Sequence, residues 1–370
     1  MSGSGRLKVG ILGCRGIPNQ YGGFEQFAER LTPALVSRHH MEVWVYNSSR
    51  HPLKDPAWQG VHRILCRDPE RRIGQAGQFV YDWLCIQDSR RRGFDVILQL
   101  GYTSNAIWHW RLPKHAAIIT NMDGLEWQRS KYSAAVRRFL RYSEALAAKH
   151  SDVLVADSIP IRQHLEETYG RKAAYIPYGA EASGELKATA LADHQLAPDG
   201  YYLLIARIQS DNHILEIIRG HSASLSKYPL VVVGDTDNRF GRRLKKAHDK
   251  QRVIFAGPVF DQEKLHQLRR HCRMYFHGHS SGGTNPSLLE AMGDSALICA
   301  HDNPFNRAVL GEDALYFGNE SDVSYRILKG VAPGKRKEFV QNNLQKVDAD
   351  YRWSQVTDAY AKLIREAVQG

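Results

Sequence analysis

The sequence predicts an α/β protein of two doubly wound parallel-sheet domains. Three observations carry this. Short apolar strands alternate with amphipathic helical segments through the first half. A polar, structure-poor stretch interrupts that order between Pro177 and about Gly200, and the alternation then restarts. Such a repeat builds parallel sheets covered by helices, with ligands at the carboxyl ends of the strands. A chain of 370 residues accommodates two such domains. The first is expected over residues 1–178 and the second over 199–350, with 179–198 as a linker and a terminal helix in 351–370.

Lys8 to Gly13 reads as the first strand, and the loop GCRGIPNQYGG follows it. Phe24, Phe27, Leu31 and Leu35 then lie on one helical face. Strand, loop and helix in this order form a nucleotide-binding unit, although the glycine spacing is not GxGxxG. Glu25 falls in the first helical turn, which favours a carboxylate; it reads as a cap or as an acceptor contact. Arg15 holds the loop or meets a phosphate, and the residues alone do not choose. Met41–Tyr46 and Val61–Cys66 read as strands and Gln75–Gln87 as a helix. Asp95–Gly101 (DVILQLG) has the composition of a buried parallel strand, and Ala116–Thr120 is the next. Two loops at strand ends follow: Tyr102–Asn105, and Asn121–Trp127, which packs Asp123, Glu126 and Trp127 together. A carboxylate there suits orienting an attacking hydroxyl or taking its proton, and Trp127 suits either a sugar face or packing. Lys131–His150 reads as an amphipathic helix with a basic side of Arg137, Arg138, Arg141 and Lys149. It is a core-facing helix with a solvated face or a contact for an anionic membrane surface. Asp152–Ala156, Ile159–Tyr169 and Ala173–Ile176 complete the half.

The second half reads strand Tyr201–Ala206, helix Ile214–Leu225, strand Leu230–Val233, basic helix Arg242–Lys250, strand Val253–Phe255 and helix Gln262–Cys272. Its most informative stretch is MYFHGHSSGGTNPSLLEAM, from Met274 to Met292. An apolar strand runs into a small polar turn, and Asn285 and Pro286 have the chemistry of a helix cap and first helical position. Gly283, Thr284 and Asn285 would offer backbone N–H groups and a positive helix end to a phosphate. Glu290 lies one turn further on, where it could take sugar hydroxyls. Arg207 closes its strand with a guanidinium fork suited to phosphate. Tyr351, Trp353, Val356, Tyr360 and Leu363 outline the terminal helix.

Composition narrows the function classes. Hydrophobic residues make up 43% and charged residues 24%, an ordinary globular composition. No run reaches the ~18–20 apolar residues of a membrane span, and the N-terminus lacks a signal-peptide layout. Five scattered cysteines without CxxC spacing give no zinc site or disulfide frame, and a reduced, cytoplasmic setting is expected. The formal charge of +11 favours anionic partners, and the absence of nucleic-acid modules turns that towards phosphorylated ligands and membrane surfaces. Asp235-Thr236-Asp237 spells a DxD too short to carry weight, and no histidine spacing marks a metal site.

Several motifs in order, RGIPNQYGGFE, NMDGLEW, the Arg207 strand end, GHSSGGTNPSLLEAM and NPFN at 303–306, resemble the retaining glycosyltransferases of family 4. They are most similar to a bacterial branch that contains β-1,4-rhamnosyltransferases of surface polysaccharide assembly. The resemblance implies the GT-B fold, two Rossmann-like domains facing a cleft, with the C-terminal helix crossing back to the first. It implies transfer with retention and without a metal or other cofactor, from a nucleotide sugar (dTDP-L-rhamnose) to a lipid-linked saccharide, on the inner face of the plasma membrane. Arg207 and Gly283–Asn285 would take the donor diphosphate, Gly22 and Gly23 would face it, and Glu290 would hold the pentose. The backbone around Val259 would read the base. Arg15, Tyr21, Glu25, Tyr102 and Trp127 would form the acceptor side, with Asp123 and Glu126 at the reacting hydroxyl. Three positions depart from the usual pattern of the family: Gly282 replaces a glutamate, Asn212 a lysine, and Asp123 stands near a point where many members have a histidine. A UDP-hexose or UDP-GlcNAc transferase on the same fold and a catalytically silent binding protein are the alternatives.

Overall fold

The computed structural model describes residues 5–20, 22–184, 187–248 and 252–369. Two compact units emerge, each with its own parallel sheet. The first comprises Met1–Trp127, Ala134–Tyr178 and Trp353–Gly370; the second comprises Gln128–Ser133 and Gly179–Arg352.

The first sheet has eight strands: β1 (Lys8–Leu12), β2 (Glu42–Ser48), β3 (Ala57–Trp58), β4 (Val61–Cys66), β5 (Val96–Leu100), β6 (Ala117–Asn121), β7 (Val153–Ala156) and β8 (Ala173–Tyr175). Their order is β3-β4-β2-β1-β5-β6-β7-β8, all parallel except the short β3, which runs antiparallel to β4. The strands bury both faces: Val9, Ile11, Val43, Val45, Val96 and Leu98 on one face have no exposed surface, and Leu12, Tyr46 and Ile97 on the other are buried as well, as expected for a sheet covered by helices. The helices Gly23–Ser37 and Trp353–Gln369 pack together, and Phe27 meets the rings of Tyr178, Trp353 and Tyr360 at 5.2–5.9 Å. The C-terminal helix therefore belongs to the first unit, where its Tyr360 hydroxyl accepts from Asn121 Nδ2 at 3.0 Å.

The second sheet has six parallel strands, β9 (Tyr202–Ile205), β10 (Leu230–Val233), β11 (Val253–Gly257), β12 (Met274–His277), β13 (Ile298–His301) and β14 (Leu315–Phe317), in the order β11-β10-β9-β12-β13-β14. Leu204, Ile214, Ile217, Ile218, Leu230, Phe276 and Cys299 form the centre of its core.

Both sheets change winding direction at one place. β1 pairs with β2 on one side and β5 on the other, and β9 pairs likewise with β10 and β12. At such a point the loops leaving the strands diverge and open a crevice. In the first unit these are the loops after Leu12 and Leu100; in the second, those after Ile205 and His277.

The structure refines the sequence reading in three places. The helix expected from Lys131 begins at Ala134, because Gln128–Ser133 joins the second unit. The stretch 179–198, expected as a linker, is tied to the second unit where it is described: Ser183 donates to Asp294, and Ala190 N donates to Gln267 Oε1 at 2.7 Å. After Met292, two further strands and the helices Pro304–Leu310, Glu320–Lys329 and Pro333–Asp350 extend the second unit.

Candidate functional site

In the first unit, the loop after β1 is held from outside. Gly13 adopts φ +88°, and a Cβ there would lie 2.2 Å from the Leu100 carbonyl oxygen, so only glycine fits. Asn47 Nδ2 donates to the Ile17 carbonyl at 2.9 Å, Arg63 Nε donates to the same oxygen at 2.8 Å, and His51 Nε2 lies 2.8 Å from the Pro18 carbonyl. Arg15 contributes to the scaffold. Its guanidinium meets Asp68 at 2.7 Å and Glu70 at 3.0 Å, and its backbone N–H donates to Glu25 Oε1 at 2.6 Å. The buried Glu25 thereby satisfies a loop donor from the first turn of its helix, beside Gly22 and Gly23. Tyr21 lies outside the described residues.

Asp123 stands half-buried on the loop after β6. It gathers with Glu25, Asp157 and Tyr360 around Tyr178: burial first, and then the fields of these four groups, push the Tyr178 phenol well above its ordinary range. Tyr178 thus stays a neutral O–H donor on the segment that leaves β8, with its oxygen 4.0 Å from where a Cβ on Gly23 would sit.

The same loop is anchored by Glu144, a carboxylate with 1% of its surface exposed. It accepts from Tyr102 at 3.1 Å, Trp127 Nε1 at 3.0 Å and Tyr169 at 2.8 Å, and lies 2.8 Å from His164 Nε2. The Tyr102 hydroxyl also reaches the Gly124 carbonyl at 2.8 Å. Arg141 covers the Trp127 ring at 4.0 Å from its centroid. Tyr102 and Trp127 therefore brace the loop that carries Asp123, and Glu126 opens the short helical turn Glu126–Gln128.

In the second unit, the loop after β12 ends in the helix Pro286–Gly293. Asn285 caps it by accepting from Ser287 N at 2.9 Å. Gly283 and Thr284 precede the cap, and Gly282 takes φ +128°. Arg207, exposed, leaves β9 on the neighbouring loop. Asn212 is buried and donates its amide to the Arg207 carbonyl at 2.8 Å, so the residue fixes the Arg207 loop.

Glu290 points to Arg269, a guanidinium with 1% of its surface exposed that also meets Asp294 at 3.2 Å. Burial alone would lower the Arg269 pKa; Glu290 and Asp294 outweigh it and hold the guanidinium protonated. His277 and His279 stack at 4.5 Å, and burial first holds both well below the ordinary imidazole range, so they are neutral groups in the wall. Val259 follows β11 in this unit, on a pocket of about 300 Å³ with Pro258, Phe260, Ala190, His194 and Leu268. Among the described residues, no group of three or more His, Cys, Asp or Glu side chains could hold a metal ion. Asp235 Oδ1 instead accepts from Asp237 N at 2.8 Å, closing a turn.

This architecture has solved counterparts over essentially its whole length. A sucrose-phosphate synthase from Thermosynechococcus elongatus matches with a TM-score of 0.79 at 17% identity, covering 98% of this chain and 99% of that one. HepE of Anabaena, solved in complex with UDP-glucose, matches with a TM-score of 0.75 at 14% identity, covering 98% and 100%. A glycosyltransferase from Rickettsia africae matches with a TM-score of 0.70 at 12% identity, covering 99% of each. The fold is GT-B. Residues 6–181, within the N-terminal half, match the family model of a domain of unknown function, DUF1972.

On this fold the residues read from sequence fall into two groups, one per unit. Glu25, Asp123, Gly22 and Gly23 lie in the first; Arg207, Gly283–Asn285 and Glu290 lie on neighbouring elements of the second. Sequence reasoning missed the groups that position them: Tyr178, Glu144 and Arg269. Each sits on a different element from the residue it serves, in a run with no motif of its own.

Proposed function

We propose that the protein is a metal-independent retaining glycosyltransferase that moves L-rhamnose from dTDP-L-rhamnose to a lipid-linked saccharide during bacterial surface polysaccharide synthesis. The observation that carries the reading is the second unit's switch point. A strand end with Arg207 lies beside a glycine turn running into a capped helix start, with Glu290 fixed one turn beyond by Arg269. A guanidinium and the positive end of a helix on neighbouring loops suit a departing diphosphate, whose charge grows as the sugar–oxygen bond breaks. The bond from C1 to the diphosphate oxygen breaks, the acceptor oxygen bonds to C1 on the same face, and the acceptor proton leaves to a base. Asp123 orients that hydroxyl or takes its proton. The pocket at Val259 suits a nucleobase. Membrane attachment is supported by the exposed Arg138, Lys149, Val136 and Tyr142 of the helix Ala134–His150, joined to the helix Ala76–Ser89 by the Phe79–Phe139 contact. No helix among the described residues is long and apolar enough to cross a membrane.

A second reading is transfer from a UDP-sugar, favoured by the shared fold of HepE solved with UDP-glucose. Steady-state kinetics with purified protein test the shared mechanism. Arg207→Ala is expected to lower kcat about a hundredfold by removing stabilisation of the leaving diphosphate. Asp123→Ala is expected to lower kcat while donor binding stays unchanged. Wild-type turnover in both variants would overturn the roles given to Arg207 and Asp123, whereas a cellular role left intact by both would favour the catalytically silent binding protein.

A further inference from the structure

The segment Gln128–Ser133 groups with the second unit, while the chain on both sides of it groups with the first. Charge holds it there. Arg129 Nη1 lies 3.2 Å from Asp211 Oδ2, and Lys131 Nζ lies 3.8 Å from the same oxygen and donates to Gln209 Oε1 at 2.9 Å. Asp211 is buried two positions beyond Gln209 on the Arg207 loop, and its carbonyl accepts from the Ser280 hydroxyl at 2.9 Å. The segment is therefore bound to the Arg207 loop, which Ser280 ties to the loop after β12. The Asp211 side chain is 2% exposed and the Arg129 side chain 22%, and Nη2 lies 3.9 Å from where a Cβ on Gly282 would sit. A side chain at 282 would stand between this guanidinium and the turn. His279 reports the same arrangement. Burial first, then the positive fields of Arg129 and Arg207, hold its imidazole down to about 4, so both guanidiniums act on one turn. Position 212 adds no cation, since Asn212 is neutral and committed to the Arg207 carbonyl.

We propose that Arg129 is a donor-diphosphate ligand, the second guanidinium of the site formed by Arg207 and the Gly283–Asn285 turn. The proposal rests on the reading of this site as one for a nucleoside diphosphate sugar. A guanidinium presents five donors in a planar fork, so one edge can keep Asp211 while the other meets a phosphate oxygen. Lys131 keeps Asp211 compensated as Arg129 turns. Gly282 is the clearance that lets the guanidinium reach the turn.

Isothermal titration of the full chain with dTDP, UDP and GDP, and with the matching monophosphates, tests this. Arg129→Gln is expected to weaken binding of the preferred diphosphate on the order of tenfold or more, the scale of one charge-assisted contact, with monophosphate binding little changed. Arg129→Lys is expected to recover part of the loss. Removing Arg129 also strips Asp211 of a partner, so the decisive variant is Arg129→Gln/Asp211→Asn, which leaves no buried carboxylate uncompensated and is expected to show the same loss. If the double variant binds diphosphate as wild type while Arg207→Gln does not, Arg129 is only the counter-ion of Asp211 and the proposal falls, with the site reading intact. If the wild-type chain binds none of the three diphosphates, the site reading fails and takes the proposal with it.

Discussion

Asp82 is the residue whose chemistry most exceeds its sequence signal. It lies in the helix after β4, buried, and accepts from the Ser104 hydroxyl and the Gln78 amide. Burial pushes its carboxyl up to about 6. A folded pKa above the unfolded value means that the unfolded chain ionises first. The site's contribution to stability therefore falls as pH rises from about 4 to about 6, by roughly 3 kcal/mol for a two-unit shift. Asp82→Asn is expected to flatten thermal stability over that window and to raise the melting temperature at pH 7.5 but not at pH 4. Arg269 is the counter-case, a buried cation whose loss takes a positive partner from both Glu290 and Asp294. Arg269→Met is expected to cost about 3–5 kcal/mol by denaturant titration and to weaken nucleotide binding through Glu290. The sequence displayed Arg207 and Glu290 because each sits in a local pattern. It could not display Arg269 as the group that aims Glu290, because that pairing forms only when the helix Gln262–His271 packs on the helix Pro286–Gly293.

At the scale of elements, strands were legible where burial on both faces produced apolar runs, as in VILQL of β5 and LVVV of β10. β13 and β14, four and three residues long, are too short for a period to emerge and are defined by their neighbours. The stretch 179–198 looked like a linker because its sequence is polar; hydrogen bonds from Ser183 to Asp294 and from Ala190 to Gln267 tie it to the second unit where it is described. The Asn121–Trp127 loop was recognisable as functional from its Asp, Glu and Trp. Its bracing was not, because that comes from Glu144, whose oxygens gather side chains from three separate segments. Glu144→Leu leaves those donors unpaired and is expected to lower stability by on the order of 3 kcal/mol and to raise hydrogen exchange at Gly124–Trp127. Glu144→Gln, which keeps acceptor capacity, is expected to cost less.

At the scale of the whole molecule, two sheets each place their loops at a switch point, and the formal charge of +11 favours anionic partners. The fold class was legible because the strand–helix alternation ran twice. If the first unit meets an anionic membrane, co-sedimentation with vesicles containing phosphatidylglycerol is expected to exceed that with neutral vesicles and to fall between about 0.1 and 0.5 M salt. Arg138→Glu/Lys149→Glu should reduce it without changing nucleotide binding. Equal sedimentation with both vesicle types would remove the membrane from the account.

The central claim is glycosyl transfer from a nucleotide sugar. Mass spectrometry of reactions containing the protein, a pyrophosphate-lipid saccharide and a panel of dTDP-L-rhamnose, UDP-glucose, UDP-GlcNAc, UDP-galactose and GDP-mannose tests it directly. The account predicts a gain of one deoxyhexose, with dTDP-L-rhamnose alone. A gain from a UDP- or GDP-sugar would contradict the rhamnose assignment and keep the mechanism. No gain from any donor, together with no nucleotide binding, would contradict the account as a whole.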